Sequence, residues 1–190
     1  MNIRTDRLLL RPLELPDAPD IQRLAGDRDV ASTTRDIEHP YEDGMAEKWI
    51  KSCQDKTASG ELINFAITLN ADGSFLGVIG IHPDDTGGHA ELGYWIGKPY
   101  WNQGYATETV KAVVHHSFTN LEFDRVYAAH FTRNPSSGRV MQKAGMLYEG
   151  FLEGHTEKWG KFEDLELYGI TREQFEQRGS TGPINRDSLP

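Results

Sequence analysis

Apolar positions along this 190-residue chain recur with two periods, and the switching between them predicts a mixed α/β fold. Residues 7–12 read as a strand stopped by Pro12, residues 16–24 as a short helix entered through Asp and Pro, and residues 41–57 as a second helical region. Two alternating runs, 63–69 and 75–81, flank Asn70-Ala71-Asp72-Gly73-Ser74; Asp-Gly supplies the positive φ of a hairpin turn. A third strand over 89–96 completes an antiparallel meander. Next, Ala106, Thr109, Val110, Val113, Val114 and Phe118 share one face of a helix that opens at Gly104. A strand over 125–131, a helix over 135–144 ended by Gly145, and strands over 146–154 and 162–171 give the order βααβββαβαββ. From Gly179 onward turn residues dominate, so 1–178 is expected to form one domain and 179–190 a mobile or loosely docked tail.

Composition narrows the setting. With 37% hydrophobic and 10% aromatic residues the chain reads as globular, and no apolar run is long enough to span a bilayer. The N-terminal residues lack the layout of a signal peptide, which makes the cytoplasm the expected compartment. A lone Cys53 offers neither an internal disulfide nor a metal-ligand pair, and adjacent His115 and His116 point to different helix faces, so no metal is expected. A net charge of −9 speaks against nucleic acid or an anionic membrane as partner and favours a cationic one, such as an amine. Monomer and homodimer both stay open.

Chemistry concentrates between residues 91 and 108. The strand Glu91-Leu92-Gly93-Tyr94-Trp95-Ile96 runs through a tight loop into Asn102-Gln103-Gly104-Tyr105-Ala106-Thr107-Glu108, where a helix starts. Small residues at 104 and 106 let backbone N–H groups turn outward together at the positive end of a helix dipole, an arrangement suited to pyrophosphate. The same pattern is also an ordinary α/β connection. Neither G-x-x-x-x-G-K-[ST] nor G-x-G-x-x-G is present, so a nucleoside triphosphate or NAD is not the expected ligand.

Taken with the element order, that loop and the segment Asn134-Pro135-Ser136-Ser137-Gly138-Arg139-Val140-Met141-Gln142-Lys143-Ala144-Gly145-Met146 resemble the GNAT superfamily of acetyltransferases. The opening Thr5-Asp6-Arg7-Leu8-Leu9-Leu10-Arg11-Pro12 and the late Asp164-Leu165-Glu166-Leu167-Tyr168-Gly169-Ile170 are similar to its RimJ/RimL-like branch. The resemblance covers residues 3–176. It implies a GNAT fold with a splayed central sheet and transfer of acetyl from acetyl-CoA to a primary amine, by direct attack through a tetrahedral intermediate. The acceptor would be a protein N-terminal amine or a small-molecule amine.

Site roles follow from the same resemblance. Leu92, Gly93, Tyr94, Trp95 and Ile96 would pair with the pantetheine arm, and the N–H groups of Asn102, Gln103, Gly104, Tyr105 and Ala106 would hold the pyrophosphate, leaving the side chains at 102, 103 and 105 free to vary. Trp101 and Ala106 depart from the superfamily's Q/R-x-x-G-x-G/A pattern at its first position and use alanine at its last. Asn134 would contact the cofactor, although Asn-Pro is equally a good helix cap. Arg139 would reach the 3′-phosphate. Ser137 is the candidate acid for the departing thiolate, because the tyrosine common one turn later is Met141 here. Glu91 is the first candidate base, with Glu153, His155, Asp164 and Glu166 as rivals. A base is needed because an alkylammonium with a pKa of about 10 cannot attack a carbonyl. Two other classes remain open: a non-catalytic acyl-CoA-binding or sensing module, and a nucleotide-binding regulatory domain, which the missing P-loop lysine disfavours.

Overall fold

The computed structural model describes residues 1–85 and 87–180, with Gly179 and Ser180 described by backbone alone. The strands are β1 (Ile3–Arg4), β2 (Leu8–Pro12), β3 (Ile63–Leu69), β4 (Phe75–Pro83), β5 (His89–Ile96), β6 (Arg125–Phe131), β7 (Leu147–Lys158) and β8 (Lys161–Thr171). The helices are α1 (Ala18–Ala25), α2 (Arg28–Ser32), α3 (Met45–Ser59), α4 (Tyr105–Thr119), α5 (Pro135–Lys143) and α6 (Arg172–Ser180). All predicted elements are present in the predicted order. The two-residue β1, the five-residue α2 and α6 are additional, since such short or weakly patterned segments carry too few apolar positions to show a period. The tail expected from Gly179 begins inside α6; the rest of it lies outside the described residues. No helix among the described residues is long and apolar enough to cross a membrane.

All strands join one sheet in the order β1-β2-β3-β4-β5-β6-β8-β7. Its centre is β4, whose residues from Phe75 to Ile81 are all buried, because helices cover both faces there. On one face Leu8, Leu10, Phe65, Ile67, Ile79, Ile81 and Leu92 meet Val110, Val113, Val114 and Phe118 of α4. Leu24, Ile21, Ala46 and Ile50 of α1 and α3 pack on Ala66, Phe75 and Val78 of the other face. A bulge sets this distribution: Ile67 pairs with Gly77 but Thr68 pairs with Phe75, so the extra residue Leu76 reverses the side-chain alternation.

One register governs function. Strand β5 pairs with β4 along its length, from Pro83↔Ala90 to Gly77↔Ile96. Against β6, however, it makes only the parallel pairs His89↔Arg125, Ala90↔Val126 and Glu91↔Tyr127. Beyond Glu91 the strands diverge, which bears out the splayed sheet. The terminal hairpin differs from expectation in its length. Strand β7 runs on to Lys158, and His155, expected near a turn, lies within the strand beside an irregularity between Leu152 and Thr156.

The N-terminal strands are anchored to α4 through Glu108. Its carboxylate accepts from Thr5 Oγ1 at 2.6 Å, from the Arg7 N–H at 2.9 Å and from Arg7 Nε at 2.7 Å. Burial raises the Glu108 pKa, but the hydrogen bonds from Thr5 and Arg7 outweigh it and leave the carboxyl below its ordinary value. The Glu108→Gln substitution is therefore expected to lower unfolding free energy by about 2 kcal/mol at pH 7, the worth of hydrogen bonds to a charged acceptor. Because the folded-state pKa is depressed, the wild-type advantage is present above the ordinary value of 4.5 and is lost as pH falls below it. Urea denaturation at pH 7 and near pH 3 measures both effects.

Candidate functional site

The loop between β5 and α4 is shaped to present backbone donors. A single helical turn at Lys98–Tyr100 follows β5. Trp101 then braces the loop, its indole N–H donating to the Ile96 carbonyl at 2.6 Å. Asn102 (φ 60°) and Gly104 (φ 83°) both take left-handed backbone conformations. From Asn102 through Thr107 no backbone N–H finds an acceptor among the described residues; the first helical bond runs from the Glu108 N–H to the Gly104 carbonyl at 3.0 Å. A consecutive run of unpartnered donors at a helix N-terminus is an anion site.

Two side chains expected to vary freely are used in the loop. Gln103 Nε2 donates to the Pro99 carbonyl at 3.0 Å, while the Gln103 backbone carbonyl accepts from Arg7 Nη1 at 2.9 Å. The Arg7 guanidinium lies 4.5 Å from the centroid of the Tyr105 ring. Arg7 thus ties the loop to the same Glu108 that anchors the N-terminal strands. Sequence reading noticed the Thr5–Pro12 segment only as a likeness, since the side-chain pairing spans a hundred residues.

Past Glu91 the backbone of β5 faces no neighbour on its β6 side, so alternate groups of Leu92, Gly93, Tyr94, Trp95 and Ile96 open into the gap. Leu92 and Ile96 are buried toward α4, and Trp95 turns to the opposite face against Phe75. Tyr94 reaches across: its hydroxyl lies 2.8 Å from Ser137 Oγ and donates to the Ser137 carbonyl at 3.2 Å. Burial pushes the Tyr94 phenol well above its ordinary value, so it stays protonated at neutral pH. Met141 is buried in the core under α5 and supplies no polar group there. Asn134 occupies the position before α5, but its side chain makes no capping hydrogen bond, contrary to the cap expectation. Arg139 is exposed and turns back onto Ser136 Oγ at 2.9 Å.

On the face opposite α4, Glu91 lies across from His82 in the register, and Gly80 lies across from Gly93. A Cβ on Gly80 would approach Asn64 Oδ1 to 2.5 Å and His82 Nε2 to 2.9 Å, so the glycine pair leaves a floor bounded by these side chains. Arg35 from the α2–α3 connection donates to Glu91 Oε1. Lys158 Nζ fastens that connection by donating to the carbonyls of Arg35 (3.2 Å) and Ile37 (2.6 Å). Desolvation lowers the His82 pKa, against the pull of Glu91, which favours a neutral imidazole at neutral pH. Only the strand pairing brings His82 beside Glu91. Of the rival carboxylates, Asp164 accepts from the Gly154 N–H, and Glu166 lies 3.2 Å from His130 Nε2. Among the described residues no group of His, Cys, Asp and Glu could hold a metal.

The model of the acetyltransferase (GNAT) domain matches residues 7–147. The chain belongs to the GNAT acetyltransferase family. This GNAT chain is 26% identical to an uncharacterized N-acetyltransferase, p20, of Bacillus licheniformis, over 90% of its own length and 96% of the relative's. A GNAT-family acetyltransferase from Bacillus anthracis shares 26% identity and superposes with a TM-score of 0.81, covering 91% of this chain and 99% of that one. A ribosomal L7/L12 α-N-protein acetyltransferase solved in complex with coenzyme A shares the fold at a TM-score of 0.82 and 16% identity, over 90% and 98% of the two chains.

The donor run of this GNAT loop depends on Gly104, where a side chain must accept a left-handed conformation costing about 1–2 kcal/mol. Gly104→Val is expected to weaken binding of inorganic pyrophosphate roughly tenfold, as that cost translates at 1.4 kcal/mol per decade. Calorimetric titration measures it, and circular dichroism verifies the fold.

Proposed function

We propose that this protein transfers an acetyl group from acetyl-CoA to a primary amine. The observation that carries the reading is the junction of two features: a strand edge left open past Glu91, and the unpartnered N–H groups of residues 102–107 at its far end. Coenzyme A carries an amide-rich arm attached to a pyrophosphate, and these two surfaces match it in order. Family membership and the 26% identity with the Bacillus anthracis acetyltransferase support the same reading. The Thr5–Pro12 and Asp164–Ile170 motifs support a place in the RimJ/RimL-like branch.

In this assignment Leu92, Gly93, Tyr94, Trp95 and Ile96 hold the pantetheine through their backbone. Asn102, Gln103, Gly104, Tyr105 and Ala106 hold the pyrophosphate, with Asn134 and Arg139 as further cofactor contacts. The bound thioester supplies an activated acetyl group. The chain's own residues manage protons. Glu91, fixed by Arg35 through one oxygen, takes the ammonium proton through its other oxygen or a water, and neutral His82 beside it is the second acceptor. At the departing sulfur Ser137 is the proton donor, resupplied by the Tyr94 hydroxyl at 2.8 Å. A backbone N–H of β5 at the opening of the gap stabilises the oxyanion. Glu91 is the last residue of the three-pair β5–β6 contact, at the mouth of that gap, which supports its reading as the base.

Release of CoA thiol from acetyl-CoA, followed across a panel of peptides and small amines, tests the function. An acceptor-dependent rate is expected. CoA binding with no rate above hydrolysis for any acceptor would instead support a non-catalytic acyl-CoA-binding module. Within the active enzyme, Glu91→Gln is expected to lower kcat on the order of 10²-fold, the usual worth of a positioned general base, with KM for acetyl-CoA unchanged. Ser137→Ala is expected to lower kcat roughly tenfold, near the loss of one transition-state hydrogen bond. Steady-state kinetics separates the two constants.

A further inference from the structure

A cavity of about 310 Å³ opens beside the α2–α3 connection, lined by Arg28, Arg133, Lys158, Trp159, Lys161 and Glu163. It shares no residue with the 102–107 loop or with Glu91, His82, Tyr94 and Ser137, so the proposed reaction does not use it. Its volume lies at the lower end of small-ligand sites. In a chain of net charge −9, four cationic side chains line this cavity and only one carboxylate does. That carboxylate is committed: Glu163 accepts from Arg133 Nε at 3.0 Å through both oxygens. Arg133 Nη2 donates to the Ser32 carbonyl at 2.7 Å, which leaves Nη1 free. Lys158 is 6% exposed and spends two of its three N–H groups on the carbonyls of Arg35 (3.2 Å) and Ile37 (2.6 Å), an incomplete relief for a buried cation. Among the described residues Arg28 and Lys161 have neither a hydrogen-bond acceptor nor a carboxylate partner. Nearby acids are engaged elsewhere: Asp29 pairs with Lys98 at 2.5 Å, and the Asp27 side chain accepts the Asp29 N–H. Burial lowers the Lys158 pKa and Arg133 lowers it further; Asp36 and Glu38 act against them without restoring the ordinary value.

The apolar wall of the cavity is set in a strained position. Lys158 pairs with Lys161 across the two-residue turn Trp159-Gly160, whose φ values are 52° and 76°. Both central residues of such a turn are left-handed, a conformation that Asn and Gly adopt readily and an aromatic residue does not. Core burial does not offset this strain, because the Trp159 side chain is one of the exposed large hydrophobics, at 45%. Its ring lies 5.1 Å from Lys158 Nζ and 5.9 Å from Arg28 Cζ. These cation–π contacts orient the ring but are weak while it stays half open to water. A strained, exposed indole thus stands at the mouth of a cavity whose cations keep unspent N–H groups. A carboxylate would offer those groups two oxygens, whereas a phosphate ester dianion offers three.

We propose that this cavity is a binding site for a small phosphate monoester, its phosphate held by Arg28, Arg133, Lys158 and Lys161 and its organic group lying against Trp159. The site is separate from the proposed acetyl transfer and does not depend on it.

Calorimetric titration of the full chain with phenyl phosphate, inorganic phosphate and benzoate tests it. Phenyl phosphate is expected to bind about tenfold more tightly than inorganic phosphate through its ring, and about tenfold more tightly than benzoate through its extra charge and oxygen. Arg28→Gln/Lys161→Gln is expected to weaken both phosphates roughly tenfold or more, the loss of at least one charge-assisted hydrogen bond. Lys48→Gln/Lys51→Gln on α3 removes the same charge elsewhere and is expected to leave them unaltered. Trp159→Asn suits the turn and is expected to abolish the preference for phenyl over inorganic phosphate while sparing inorganic phosphate itself. Gly104→Val, which alters the 102–107 loop, is expected to leave phenyl phosphate binding unaltered and so separates the two anion sites. Circular dichroism verifies each fold, and Lys161→Gln alone, at an exposed position, gives the same reading should the double variant not fold. The proposal is overturned by any of four results: no saturable binding of phenyl phosphate, benzoate binding as tightly, equal weakening by the two charge-removing pairs, or binding that is lost in Gly104→Val. A preference for phenyl phosphate that survives Trp159→Asn overturns the placement of the organic group.

Discussion

The whole arrangement depends on how briefly β5 and β6 stay paired. Three parallel residue pairs join them, and then their backbones part while each strand remains fastened on its outer side, β5 to β4 and β6 to β8. A sheet edge in the middle of a protein leaves polar backbone groups without partners, a costly state unless water or a ligand satisfies them. Helix packing holds the gap open. Helix α4 covers the β5 side through Val110, Val113 and Val114, and α5 sits over the β6 side, so neither strand can close on the other without displacing a core. Tyr94 spans the opening by its contact with Ser137, linking β5 to the first turn of α5.

Around that gap the molecule presents two kinds of surface. One side presents main chain: an open strand edge and a helix N-terminus. Side chains there act on the backbone. Trp101, Gln103, Arg7 and Glu108 hold the loop in the left-handed turns that aim its N–H groups outward. The opposite face carries side chains: Glu91 and His82 on paired strands, and Arg35 on a connection.

Much of the fold was legible in sequence because its elements satisfy local rules. The Asp72-Gly73 hairpin, the apolar face of α4 and the stop at Gly145 each follow from residues within a few positions of one another. The short β1 and α2 were not legible, because a few residues carry no period. Neither was the length of β7, whose last residues from His155 to Lys158 are a strand only through pairing with β8.

For the site, the same division holds. Gly104 and the loop around it could be named from sequence, because a helix N-terminus with a left-handed entry is a local object. Ser137 and Glu91 stand out only through family likeness. What no local pattern could contain is the partner of each: Tyr94 for Ser137, Arg35 and His82 for Glu91, and Arg7 for the loop. Local conformational preference and hydrophobic period belong to the sequence by itself, since both arise from neighbours along the chain. Strand register and the length over which β5 and β6 pair belong to the tertiary structure, because they arise from residues that only folding brings within reach.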